Sequence, residues 1–398
     1  MDDKLAIILG IRPDLIRASL ILRRLQETAR DRIVFIWSGQ HYSDNLKDIF
    51  IRELGIQPPD IELGAEGASD ADTVAAVISR LRPVLAELRP AAAVFLGDTN
   101  TVMGSLAAAQ LNIPIVHIEG CMRSYDWRMP EEKYRTVIDH LADVIYTYFD
   151  EYKRQGVAEG LNSRNIVVVQ NLIVDVLQHY YFGRLDHFER LADQAFFADR
   201  RLECGAYHLM TCHRRENVED PAVLANILAF LESSEHPVYF PASYRTQKNL
   251  VAFDLKLPAC VSMVDPVGYE EMLALMVNSR SVLTDSGTVV EETAVLGVPS
   301  LQIRRATERP QVYDCGSSVK FDPSRPLDYP AGTLYAKLEA LRGRKWEHGL
   351  GDGQAFRRVS DDLLRRLAEG DFRGHLPERH HLVGAVGRSH REDGLPEA

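Results

Sequence analysis

The sequence predicts an α/β protein built from two parallel, doubly wound lobes that face one another across a cleft. Three observations predict it. Short apolar runs rich in Ile, Val and Leu alternate with amphipathic stretches of helical spacing, the pattern of parallel sheets covered by helices. Polar residues stand at the carboxyl ends of these runs, where doubly wound sheets bind ligands. The alternation also pauses in the charged stretch 172–205 and restarts at 206. A chain of 398 residues is too long for one typical domain and suits two of roughly 170–200.

Residues 4–10 (KLAIILG) read as a buried first strand. The helix that follows carries Leu15, Ala18, Leu22 and Leu25 on one face and begins at the polar turn Arg12-Pro13-Asp14. Residues 33–39 form a second strand ending at Gln40-His41. A helix from about 74 to 88, broken near Pro83, leads to a strand at 91–98 that ends on Gly97-Asp98. Thr99, Asn100 and Thr101 open the next helix. The strand 114–120 ends on Glu119, the helix MPEEKYRTVIDHLAD follows, and 144–149 and 165–171 are strands. After the charged connection, strands are expected at 206–213, 237–243, 260–266, 281–284, 299–304 and 317–321. A helix at 354–369 is expected to pack back on the first lobe. Residues 374–398 hold four histidines without helical or strand period and read as a mobile tail.

Within 281–310 an apolar strand delivers the chain to Asp285-Ser286-Gly287, and a helix starts at once. Val289, Val290, Thr293, Ala294 and Leu296 recur at helical spacing and Gly297 stops it. Such a strand–turn–helix unit points unpaired N–H groups and the positive end of the helix dipole at the turn, a seat for phosphate. Gly287 would allow close backbone approach, and Glu291-Glu292 one turn on could accept ribose hydroxyls. The plain alternative is a capped helix of any α/β domain.

Lys and Arg total 46 against 57 Asp and Glu, a net charge of −11, with pI near 5.7 and mean hydropathy −0.18. These values disfavour nucleic acid or an anionic membrane as partner. No run long enough to span a membrane and no signal peptide is visible, so the cytoplasm is the expected compartment. Five widely spaced cysteines without a CxxC motif argue for reduced thiols and against a metal site. Yet Arg12, Arg17, Arg214, Arg215, Arg304, Arg305 and Arg309 gather beside the turns, which suits a small anionic ligand.

With these motifs in order, the sequence resembles the non-hydrolysing UDP-N-acetylglucosamine 2-epimerases over roughly residues 4–370. GIRPDLIR is similar to that family's GTRPE-x-x-K turn, SGQH to its TGQH, HIEGCMR to its HVEAGLR and MPEEKYR to its PEE-x-x-R. LGDTNT, CHRREN, VDP-x-x-Y, TDSG-x-x-x-EE-x-x-x-LG-x-P and TERP also have counterparts. The resemblance implies two Rossmann-like lobes in a GT-B-like arrangement: 1–172 carrying the catalytic carboxylates, 173–353 binding UDP, and 354–373 as the returning helix. It implies interconversion of UDP-GlcNAc and UDP-ManNAc through loss of the C2 proton and of UDP, giving a 2-acetamidoglucal to which UDP adds back. Neither a metal nor any other cofactor is implied, and a homodimer is.

On this resemblance Asp98, Glu119 and Glu131 are the cleft carboxylates that exchange protons, and His213 joins them as a catalytic residue. A weakly acidic C2 proton needs a positioned base, and the opposite face needs an acid. Arg12, Arg17, Arg135, Arg214, Ser286, Gly287, Thr288, Glu292 and Arg309 are the matching UDP-sugar contacts. Each has a structural alternative: Asp98 as a helix N-cap, Glu119 paired with Arg123 or Lys133, Glu131 favouring its own helix terminus, His213 as a satisfied strand-end residue.

The sequence departs from the family pattern at several positions. Thr288 stands for a glycine, Arg17 for lysine, Gly120-Cys121 for Ala-Gly, Tyr134 for asparagine and Arg305 for aspartate. Ser43 stands where members with an allosteric substrate site carry glutamine. These leave the exact hexosamine open. Alternative readings are a hydrolysing 2-epimerase releasing ManNAc and UDP, a GT-B glycosyltransferase, and a nucleotide-sugar-binding protein without turnover.

Overall fold

The structure, a computed structural model, describes residues 3–39 and 44–372. Expectations for Gln40-His41, Ser43 and the tail 374–398 fall outside the described residues.

The first sheet contains β1 (Leu5–Leu9), β2 (Ile33–Trp37), β3 (Ile61–Glu62), β4 (Ala92–Leu96), β5 (Ile115–Ile118), β6 (Val144–Thr147) and β7 (Ile166–Val168). Its order is β3-β2-β1-β4-β5-β6-β7, with all pairings parallel. The second contains β8 (His208–Thr211), β9 (Val238–Pro241), β10 (Val261–Val264), β11 (Ser281–Thr284), β12 (Ser300–Ile303) and β13 (Ser318–Phe321). It runs β10-β9-β8-β11-β12-β13, again parallel throughout. Both orders reverse beside the first strand of the lobe, so each lobe has its switch point there, at β1/β4 and at β8/β11. The central strands are continuous apolar runs because helices cover both faces: every residue of β1, β2 and β4 is buried. This is the predicted fold class.

Helix Arg12–Thr28 starts with Pro13 in its first turn and buries Leu15, Ala18, Leu22 and Leu25, as its period predicts. Helix Asp70–Leu88 differs from expectation, running unbroken through Pro83. Val77, Leu81 and Leu85, four residues apart, anchor it to the core on both sides of the proline. Ser79, whose carbonyl loses its partner, faces solvent, so water can replace the missing donor. Ser69 closes the helix start with a reciprocal capping box to Asp72.

Helices Leu172–Tyr180, Leu185–Leu191 and Gln194–Asp199 fill the charged connection. The chain recrosses near Leu350, whose carbonyl accepts from the Asn171 N–H at 3.1 Å. Helix Ala355–Glu369 then lies on helix Arg12–Thr28. Arg24 meets Asp361 at 2.6 Å, the Tyr146 hydroxyl donates to Asp362 at 2.7 Å, and Val359, Leu363 and Leu367 are buried in the first lobe's core. The returning helix is therefore where the sequence places it. Across the cleft Glu53 accepts from the Tyr269 N–H at 3.0 Å, and Arg215 pairs with Asp70 at 2.5 Å. Among the described residues no helix is long and apolar enough to cross a membrane. All five cysteines are unpaired thiols.

Candidate active site

The carboxyl ends of the two sheets enclose a cavity of about 690 Å³. Its first-lobe wall includes Ile11, Arg12, Trp37, Asp70 and Asn100, and its second-lobe wall includes His213, Tyr244, Tyr269, Ser286, Thr288 and Glu292. Of the residues singled out from sequence, Arg12, His213, Ser286, Thr288 and Glu292 line this space.

Ser286 caps helix Gly287–Leu296, its Oγ accepting from the Val289 N–H at 3.4 Å, and Gly297 ends the helix at φ 75°. The helix is buried on nearly every side, so its glutamates have opposite assignments. Glu292 faces the cavity and accepts from the Tyr269 hydroxyl at 2.8 Å. Glu291 points toward the first lobe, accepting from Asn171 and from Arg309, each at 2.7 Å. Burial draws both carboxyls up to about 7, against the Tyr269 bond at Glu292 and against Arg309 at Glu291.

Gly287 also has a reason within the protein's own packing. A Cβ there would lie 2.4 Å from Arg309 Nε and 3.0 Å from Glu308 Oε1. The missing side chain makes room for the Arg309 guanidinium, which lies over the helix start.

His213 ends β8's extension with 47% of its side chain open, and its Nδ1 lies 3.3 Å from Asp285. Asp285 is fully buried and accepts the His213 and Arg214 N–H groups at 2.9 and 2.8 Å. The desolvating walls draw His213 below the usual imidazole value, Asp285 opposing while Arg214 and Arg12 reinforce the shift.

Beside the cavity a buried charged network joins the lobes. Glu119 binds Arg17 through one oxygen and Arg309 of the other lobe through its second. It follows β5 directly at φ 74°, a left-handed conformation costly for a side chain with a Cβ and held here by two ion pairs. Its alternative partner Arg123 instead binds Asp139 at 2.7 Å and Glu159 at 2.6 Å. Asp98 binds Arg135, whose second arm meets Glu132 at 3.0 Å. The next helical segment has Thr99, not Asp98, as its N-cap. Burial would raise Asp98, but Arg135, then Arg214 and Arg17, outweigh it and the opposing Glu308, holding the carboxyl below the usual range.

Glu131 differs. Its Oε2 is buried without a hydrogen-bond partner among the described residues. Burial and the nearby Asp98 raise its pKa against the pull of Arg214. Arg214 donates to the Asp285 carbonyl at 3.0 Å and lies 3.7 Å from Glu308. Glu308 also pairs with Arg304 at 2.9 Å. Three first-lobe carboxylates thus face Arg214 and Arg309 of the second lobe. Among the departures, Thr288 projects into the cavity wall, Tyr134 is half-buried with Glu131 and Asp70 acting on its hydroxyl, and Arg305 is exposed.

Sequence reasoning gave no site role to Asp14, Glu132 or Glu308. Asp14 stands in the polar turn of the matched GIRPDLIR motif. Glu132 and Glu308 stand inside the matched PEE and TERP motifs, so motif membership was the available signal.

The profile of the family described as UDP-N-acetylglucosamine 2-epimerase matches residues 23–364. The chain is 33% identical over 379 residues to the UDP-N-acetylglucosamine 2-epimerase of Methanocaldococcus jannaschii, covering 93% of this chain and 100% of that protein. It is 32% identical over 371 residues to the UDP-2,3-diacetamido-2,3-dideoxy-D-glucuronate 2-epimerase of Pseudomonas aeruginosa, covering 91% and 99%. The crystal structure of the M. jannaschii enzyme in complex with UDP-GlcNAc and UDP superposes with a TM-score of 0.81 at 32% identity, covering 91% of this chain and 99% of that one. Fold, ordered motifs and nearly full-length similarity converge: the chain belongs to the UDP-N-acetylglucosamine 2-epimerase family.

Proposed function

We propose that this protein inverts C2 of a UDP-N-acetylhexosamine, interconverting UDP-GlcNAc and UDP-ManNAc without net hydrolysis. The observation that carries this reading is the meeting of Asp98, Glu119 and Glu131 with Arg214 and Arg309 beside a nucleotide-sized cavity.

In this reading Arg12, His213 and the start of helix Gly287–Leu296 receive the diphosphate, and Glu292 receives the ribose. Asp98, ionised beside Arg135, takes the C2 proton while the C1–oxygen bond breaks and its electron pair leaves with UDP. A C1–C2 double bond remains. Arg309 and the helix dipole stabilise the charge growing on the diphosphate. Glu131, whose surroundings favour the protonated form, returns a proton to the opposite face of C2 as UDP adds back. Glu119 holds Arg17 and Arg309 in place between the lobes.

The similarity to the M. jannaschii protein supports a UDP-GlcNAc substrate. That to the P. aeruginosa protein supports a second reading, a UDP-2,3-diacetamido-hexuronate. Incubation of the purified protein with each sugar nucleotide, followed by 31P and proton NMR, separates them. The C2 epimer with UDP still attached is the expected product. Free ManNAc with UDP would move the protein to a hydrolysing reaction.

A further inference from the structure

Asp14 is fully buried in the first turn of helix Arg12–Thr28, and the reaction outlined above gives it no task. Its Oδ1 accepts from Arg17 Nη2 at 2.7 Å, and its Oδ2 lies 3.5 Å from Thr99 Oγ1. The other terminal nitrogen of the same guanidinium, Nη1, binds Glu119. One arginine is thus divided between two carboxylates. Gly97, at φ 80°, makes room for this: a Cβ there would stand 3.1 Å from Asp14 Oδ1 and 3.2 Å from Arg17 Nη2.

The groups acting on Asp14 are Arg17 from its own helix, Asp98 after β4, Glu119 after β5, and the Thr99 hydroxyl. Burial, then Asp98 and Glu119, raises its pKa to about 7 against the pull of Arg17. On the far side of Glu119 the arrangement repeats, with Arg309 divided between Glu119 and Glu291. The row Asp14–Arg17–Glu119–Arg309–Glu291 therefore alternates acid and base across both lobes. Its three carboxylates outnumber its two guanidinium groups, and both end members are drawn toward holding a proton.

We propose that Asp14 is a positioning residue for Glu119. With a proton on Asp14, Arg17 gives its charge to Glu119 alone. Ionised Asp14 competes for Arg17 and loosens Glu119. The inference rests on the carboxylate reading of the reaction given above, because Glu119 matters to turnover only if that reading holds.

The test compares wild type, Asp14→Asn and Asp14→Glu for C2 exchange across pH. Wild type should show a step in kcat near neutrality that is absent from KM, and Asp14→Asn, which stays neutral, should abolish the step. A step unchanged in Asp14→Asn overturns the proposal. If Asp14→Asn gives no soluble protein, Asp14→Glu should shift the step along the pH axis with KM within about 2-fold of wild type. An unmoved step there is equally contrary.

Melting temperatures supply a readout that needs no turnover. The folded pKa of Asp14 lies above its unfolded value, so folded protein binds the extra proton between about pH 4 and about pH 7. That contribution is complete at low pH and lost as pH rises. Asp14→Asn should therefore gain stability relative to wild type as pH rises from about 4 to about 7, with a constant difference above that. A difference that stays constant through that rise overturns the proposal. Should wild type exchange no C2 proton with any UDP-hexosamine, the reaction reading fails, and the melting comparison still decides whether Asp14 takes up the proton.

Discussion

Asp98 and Glu131 illustrate how one lobe can hold two carboxyls in opposite electrostatic surroundings. Both are enclosed, but Asp98 has an arginine on its carboxylate and Glu131 has a buried oxygen with no hydrogen-bond partner among the described residues. Their environments push the two pKa values apart, Arg135 lowering that of Asp98 and burial raising that of Glu131. Asp98→Asn and Glu131→Gln should each lower kcat by about 10²–10⁴-fold while UDP affinity stays within about 3-fold. Steady-state kinetics and calorimetric titration with UDP check this. Equal losses in turnover and UDP affinity would instead place the two residues in binding.

At this scale the sequence revealed the identities of charged residues better than their pairings. Glu119 and Arg309 stand 190 positions apart, and no local spacing announces that they meet. Asp14 has no role legible in the sequence because a buried carboxylate in a first helical turn has the same sequence signature as one that only favours the helix dipole.

Among elements, the strand–turn–helix unit around Ser286 lines the cavity, and its glycine has a packing role that the sequence does not show. Glycine after a strand signals a close approach, and at Gly287 the protein's own Arg309 makes one. Gly287→Ala should push Arg309 off Glu119 and Glu291. A loss of about 1–3 kcal/mol from overpacking is expected in urea unfolding, together with lower kcat. Wild-type stability in this variant would mean that the Arg309 position is not tightly packed.

Helix Asp70–Leu88 shows a limit of local rules. Pro83 predicts a break from its missing N–H, but buried Val77, Leu81 and Leu85 hold the helix together, and the freed carbonyl is at the surface. Strand positions were legible because fully buried parallel strands are uninterrupted apolar runs. The two-residue β3 was not, since one half-buried pair carries no period.

The whole molecule places two switch points opposite one another, so that Asp98, Glu119 and Glu131 come from one lobe and His213, Ser286 and Thr288 of the cavity wall from the other. The lobes are joined by the ion pairs Glu119–Arg309 and Arg215–Asp70. The two-lobed plan was readable from the restart of alternation at 206. The pairing of specific charges across the cleft depends on how the lobes sit together, which no stretch of sequence encodes locally.

The central claim is that first-lobe carboxylates move a proton at C2. Incubation with UDP-GlcNAc in deuterium oxide, followed by proton NMR, tests it most directly. Deuterium should enter C2 of both epimers while UDP remains attached, and Asp98→Asn should suppress its entry. Epimer formation with protium retained at C2 would contradict the account, because stereochemistry would then have inverted without exchange through the carboxylates.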